Sequence, residues 1–99
     1  MRWVPVRDLR PLDKPAHRRL RPELARLSDA ELLRAARHPK DGAYIRVNSK
    51  TGQLMNGNGR AVELLRRAAD PQSAITSDVT VPVEDYFPDD SMFTDPDGP

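Results

Sequence analysis

MNGNGRAVELLRRAAD, residues 55–70, puts two of the chain's 5 glycines into one short turn. The residues before it, QLMNG, read as a short strand. The residues after it repeat as a helix. The spacing predicts a helix from about residue 60 to residue 69, with Val62, Leu65 and Ala69 as its buried stripe. Glu63 and Arg67 form an i, i+4 pair on that helix, and Asp70-Pro71 ends it. The first N–H groups of a helix lack intrahelical partners and carry partial positive charge. Glycines let a phosphate approach them, and an arginine adds a charge-assisted contact. Gly57, Asn58, Gly59 and Arg60 are therefore candidate phosphate-binding residues, and Arg60 is also a candidate catalytic group. The bland reading is an ordinary helix start, with Asn58 as cap and Arg60 solvated. Spacing alone leaves both open.

Working outward, AYIRVNS (residues 43–49) alternates, with Ile45 and Val47 on one face and Tyr44, Arg46 and Asn48 on the other. Lys50-Thr51-Gly52 then turns the chain into QLMNG, giving a hairpin. Upstream, Ser28-Asp29-Ala30-Glu31 has capping-box spacing, which predicts a helix from about residue 29 to residue 37, stopped by Pro39. Leu20, Leu24 and Leu27 form a shorter helical stripe starting near Pro22. Trp3-Val4-Pro5-Val6 reads as an edge strand. A last strand is expected around residues 79–83, where Pro82 marks another edge. The expected fold is α+β: a small mixed sheet made of the N-terminal strand, the central hairpin and the C-terminal strand, with about three helices.

Composition limits what such a domain can do. Its 99 residues suit one small domain, expected over residues 1–87, followed by an acidic tail over 88–99. The absence of Cys excludes disulfides, thiol chemistry and Cys-based zinc sites. No apolar run approaches the roughly 18 residues of a membrane span, so no membrane partner is expected. The net charge of +1 hides an asymmetry. Six of the 15 acidic residues lie in 84–99, a stretch without Lys or Arg, so residues 1–83 carry +7. A basic body suits a polyanionic partner.

These features together resemble the ParB/sulfiredoxin superfamily, the ParB-like nuclease fold. Val4-Pro5-Val6-Arg7-Asp8-Leu9-Arg10-Pro11 is similar to the family's opening strand. Ile45, Val47, Gly52, Leu54, Asn56, Gly57 and Arg60 match its hairpin-and-turn pattern, and Val81-Pro82-Val83 matches its closing strand. The resemblance covers about residues 3–86, and its one pointed motif is the turn at residues 57–60. It implies that this turn holds nucleotide phosphates or lies at a nucleic-acid active site. Sulfiredoxins carry a catalytic Cys there, so sulfinic-acid repair is excluded. ParB partition proteins use CTP through a second Arg and an acidic residue that this turn lacks. Many relatives have a His before the Arg, where this chain has Gly59. What remains resembles the stand-alone versions at the C-termini of secreted bacterial polymorphic toxins. That implies a nuclease acting in a target cytoplasm, delivered as part of a larger secreted toxin, with an immunity protein as partner.

Three functions thus stand as expectations: a nuclease acting on DNA or RNA, a nucleotide-binding or nucleotide-hydrolysing domain (CTP or ATP), and a non-catalytic interaction module. Further site candidates follow from residue type. His17, among arginines, could be a general base, and Asp41 could also be catalytic; the plainer readings are a solvated loop His and a turn residue. Arg10, Lys14, Arg18, Arg19 and Arg46 are candidate nucleic-acid contacts. Tyr44, Arg46 and Asn48 share the polar face of their strand, with Asn56 expected nearby on the partner strand; that face could bind a nucleotide or be ordinary solvent surface. No metal ligand set is assigned; Mg²⁺ is the cofactor a nuclease would bring. His38, at a helix end, is expected to cap last-turn carbonyls.

Overall fold

The computed structural model describes residues 1–12, 14 and 21–87. His17, Arg18, Arg19, Leu20 and the tail at 88–99 lie outside the described residues. Four strands form one mixed sheet: β1 (Arg2–Pro5), β2 (Ile45–Asn48), β3 (Leu54–Asn56) and β4 (Thr80–Tyr86), in the order β1-β4-β2-β3. Among the described residues three α-helices accompany it: α1 (Pro22–Ala25), α2 (Asp29–Arg37) and α3 (Asn58–Ala68). Short 3₁₀ turns occupy Val6–Asp8 and Lys40–Gly42. The α+β class, the hairpin and the three helices agree with the sequence. No helix among the described residues is long and apolar enough to cross a membrane.

Local chemistry explains most boundaries. The α2 capping box is complete: Ser28 Oγ accepts from the Glu31 N–H at 3.1 Å, and Glu31 Oε1 accepts from the Ser28 N–H at 2.8 Å. Gly52, at φ 76°, supplies the left-handed residue of the β2–β3 turn. Asn48 Oδ1 caps the same turn by accepting from the Lys50 N–H. Ile45, Val47, Leu54, Val81 and Val83 join Leu32, Ala36, Ala61 and Leu64 in the core, where β4 packs against α2 and β2 against α3.

Three expectations need correction. The buried residues of α3 are Asn58, Ala61, Glu63, Leu64 and Arg67. Of the expected stripe Leu65 packs against the core, Val62 is half-buried and Ala69 is exposed, because the Glu63–Arg67 pair is drawn inward by Asp29 and the Leu27 carbonyl. Asn58 is not the cap: Gly57 is. Pro82 is not on an edge either. β4 pairs antiparallel with β1 through Thr80, Val81, Pro82 and Val83, and parallel with β2 from Val83 to Tyr86. Pro82 is tolerated in this inner strand because it lies one residue before β2 joins, so no ladder bond is lost on that side. His38 closes α2 through its backbone N–H, which donates to the Arg34 carbonyl at 2.7 Å.

Candidate functional site

The turn between β3 and α3 is built around two glycines with different tasks. Gly57 sits at φ 82°. A Cβ there would lie 2.8 Å from Ile45 Cγ1 and 3.2 Å from Ile45 Cα, so both conformation and space demand glycine. Gly59 is helical. A Cβ on it would meet the Arg21 side chain, with Nε at 2.7 Å and Cδ at 2.9 Å. The Arg21 side chain thus lies across the bare backbone of Gly59. Between the glycines, Asn58 is buried and faces inward. Its Oδ1 accepts from the Leu12 N–H at 2.7 Å, and its Nδ2 donates to the Leu54 carbonyl at 3.4 Å. Asn58 therefore fastens the segment after β1 to the start of α3, and its side chain is committed to that task.

Among the described residues the helix start is open. No side chain caps α3, and no acidic residue stands in its first turn. Among the described residues, the amides of Asn58, Gly59 and Arg60 have no acceptor. They border a recess of about 370 Å³ lined by Arg21, Glu23, Met55, Asn56 and residues 57–60. Glu23 is the one carboxylate among these lining residues.

Arg60 takes neither of the poses expected from sequence. Its guanidinium is partly buried and donates from Nη1 to the Ala35 carbonyl (3.2 Å) and from Nη2 to the Ala43 carbonyl (2.7 Å). The first contact has a simple cause. Ala35 would bond the N–H of residue 39 in a continuing helix, but residue 39 is proline. Burial lowers the Arg60 pKa, and among the described residues no carboxylate offsets it. Two of its five N–H donors are used by these carbonyls, which leaves three for a ligand.

Arg67, on the same helix, shows what full compensation looks like. It donates to Glu63 Oε2 (2.8 Å), Asp29 Oδ1 (3.0 Å) and the Leu27 carbonyl (2.6 Å), with longer contacts to the carbonyls of Leu24 and Ala25. Burial alone would raise the Glu63 carboxyl, but donation from Arg66 and Arg67 overrides it and holds its pKa below the usual range. The Asp29 pKa is lowered chiefly by the Ala74 N–H, with help from Arg67 and Ser73. This buried network ties the end of α1 to α3, and α1 begins next to Arg21. It thereby sets the wall of the recess.

The remaining candidates scatter. Arg46 pairs with Glu84 on β4 at 3.4 Å. Asn56 lines the recess, and its Nδ2 donates to the Tyr44 carbonyl. Asn48 belongs to the far hairpin turn. Asp41 lies exposed in the 3₁₀ turn at φ 59°, and Arg10 and Lys14 are exposed; none of the three lines the recess. Among the described residues no cluster of three His, Cys, Asp or Glu could hold a metal. Arg21 belongs to the cationic N-terminal cluster for which the sequence suggested phosphate contacts, whereas nothing in the sequence singled out Glu23. The available signal was their place beside Pro22, since a proline at the first helical position fixes where its neighbours stand. No protein-family model, curated protein or solved structure matches the chain.

Proposed function

We propose that the recess at the start of α3 binds a phosphate group and that the domain acts on nucleic acid as a nuclease. One observation carries the reading. Arg60 is a partly buried cation with no carboxylate partner among the described residues, and it stands beside an uncapped helix start. Desolvating a charge is unfavourable unless something compensates it, and two carbonyl dipoles do so only in part. An anion in the recess would complete the compensation. The free amides of Gly59 and Arg60, the dipole of α3 and the Arg21 guanidinium would all favour it. Arg21 and Arg60 would stabilise charge building up on a phosphodiester under attack. Glu23, the carboxylate among the described lining residues, would take a proton from an attacking water. The resemblance to the ParB/sulfiredoxin superfamily supports the same reading. Its polymorphic-toxin versions suggest delivery within a larger secreted protein and an immunity protein as partner.

The test is cleavage of plasmid DNA and of single-stranded RNA, with and without Mg²⁺, by the wild type and by Gly59→Asp. The variant is suited to the question. An acidic residue in the first turn is compatible with the helix dipole, and the atoms its Cβ would meet are the far end of a flexible arginine. The variant is expected to fold, with its carboxylate filling the anion position and cleavage lost. A wild type that cuts neither nucleic acid, or a folded Gly59→Asp that cuts as well as the wild type, overturns the proposal.

A further inference from the structure

A second recess, of about 550 Å³, opens at the C-terminal end of α2. Arg34, His38, Lys40 and Arg60 line it, over an apolar floor that includes Leu27 and Ala35. Among the described residues its one lining carboxylate, Glu31, already accepts from the Ser28 N–H and so completes the α2 cap. Three permanent cations therefore face one carboxylate that is committed elsewhere. Among the described residues, neither Arg34 nor Lys40 has an ion-pair partner. Other arginines of the domain do have one: Arg2 with Asp85, Arg7 with Asp78, Arg46 with Glu84, and Arg66 with Glu63. Like charges left together around a cavity raise its potential and draw in a counter-ion. Arg60 lines both recesses, so they meet at its side chain.

We propose that this second recess is a phosphate subsite for the neighbouring phosphate of the same strand. The inference rests on the phosphate reading of the first recess and deepens it. The ligand becomes a polynucleotide whose successive phosphates lie on either side of Arg60, and a mononucleotide would fill only one side. Arg34 and Lys40 supply the charge, and His38 adds a ring N–H donor. The apolar floor accommodates the sugar between the two phosphates. The carbonyl dipoles at the end of α2 would oppose an anion here. Arg60 answers that directly, because it binds the Ala35 carbonyl at the point where Pro39 leaves it unpaired.

The double variant Arg34→Gln, Lys40→Gln tests the proposal. Both side chains are exposed, so the fold should survive, and circular dichroism checks this. Fluorescence anisotropy would follow binding of labelled oligothymidylate and oligouridylate over a salt series, with thymidine 5′-monophosphate measured by calorimetry. The variant is expected to bind the better of the two oligonucleotides at least ~10-fold more weakly. The slope of log K against log salt should flatten by about 0.7, since the variant loses one phosphate contact and each contributes ~0.7 on single strands. Mononucleotide binding should stay as in the wild type. If the variant binds oligonucleotide like the wild type, the second subsite is refuted and the first recess stands. If it loses the mononucleotide equally, the recess belongs to a single-nucleotide site and the proposal is overturned. A wild type that binds none of the probes overturns both readings.

Discussion

Replacing Arg67 with Met should be among the most damaging single changes in the domain. The side chain is 8% exposed, and its partner Glu63 is 1% exposed. Methionine has similar length and fills much of the same space, so the effect isolates the lost charge and donors. The change removes the bonds to Glu63, Asp29 and the Leu27 carbonyl together. Removing one partner of a buried ion pair costs about 3–5 kcal/mol. Glu63 keeps Arg66, and Asp29 keeps Ser73 and the Ala74 N–H, which places the expectation near the lower end, at about 3 kcal/mol. A domain of this size has about 5–15 kcal/mol in total, so the loss is a large share. The thermal midpoint should fall by about 12–24 °C, at 4–8 °C per kcal/mol. Urea and thermal unfolding followed by circular dichroism would measure it. Arg7→Met is the control. Its pair with Asp78 is exposed on both sides, so it should change stability by less than about 1 kcal/mol. If Arg67→Met loses no more than the control, the view of this network as the fastening of α1 onto α3 is wrong.

Three further outcomes are expected. Gly57→Ala should destabilise by at least about 1–2 kcal/mol in urea titration, because the left-handed backbone disfavours Ala and the new methyl would press on Ile45; an unchanged midpoint would contradict the packing described. Ser28→Ala should remove about 1 kcal/mol by uncapping α2. Equal stability would show that the capping box contributes nothing. Acid should destabilise the fold: the Glu63, Asp29 and Asp85 carboxyls have folded pKa values below their unfolded ones. Their contribution is present above the unfolded carboxylate pKa, about 4, and is lost as pH falls through the folded values. A urea midpoint that stays level from neutrality to below pH 2 would refute it.

Most of the architecture was legible because its signals are local. Ser28 and Glu31 announce α2, Pro39 ends it, and the alternation through Ile45 and Val47 fixes the inner face of β2. The errors came where tertiary partners decide. Asn58 has the chemistry of a cap, but the Leu12 N–H claims its side chain, so the cap passes to Gly57. Pro82 suggests an edge in any sequence, and only the staggered arrival of β2 makes it tolerable inside the sheet. The turn at residues 57–60 was legible as a candidate site. Its wall was not, because Arg21 reaches Gly59 through the docking of α1, and that docking depends on Arg67. The inward pose of Arg60 follows from a carbonyl 25 positions away along the chain that a proline leaves without a donor.

The staggered pairing of β4 also sets a timetable for folding. Arg2 lies opposite Val83, so the first strand finds its neighbour only at the far side of the sequence. β2 gains its second neighbour from the same late segment. Until that segment leaves the ribosome the nascent chain can form only the β2–β3 hairpin and isolated helices, and a lone hairpin is marginal in water. Closure across such sequence distances is intrinsically slow. The sheet should therefore be completed only once residues up to 86 have left the ribosome, with β1 waiting until then as an unpaired ribbon.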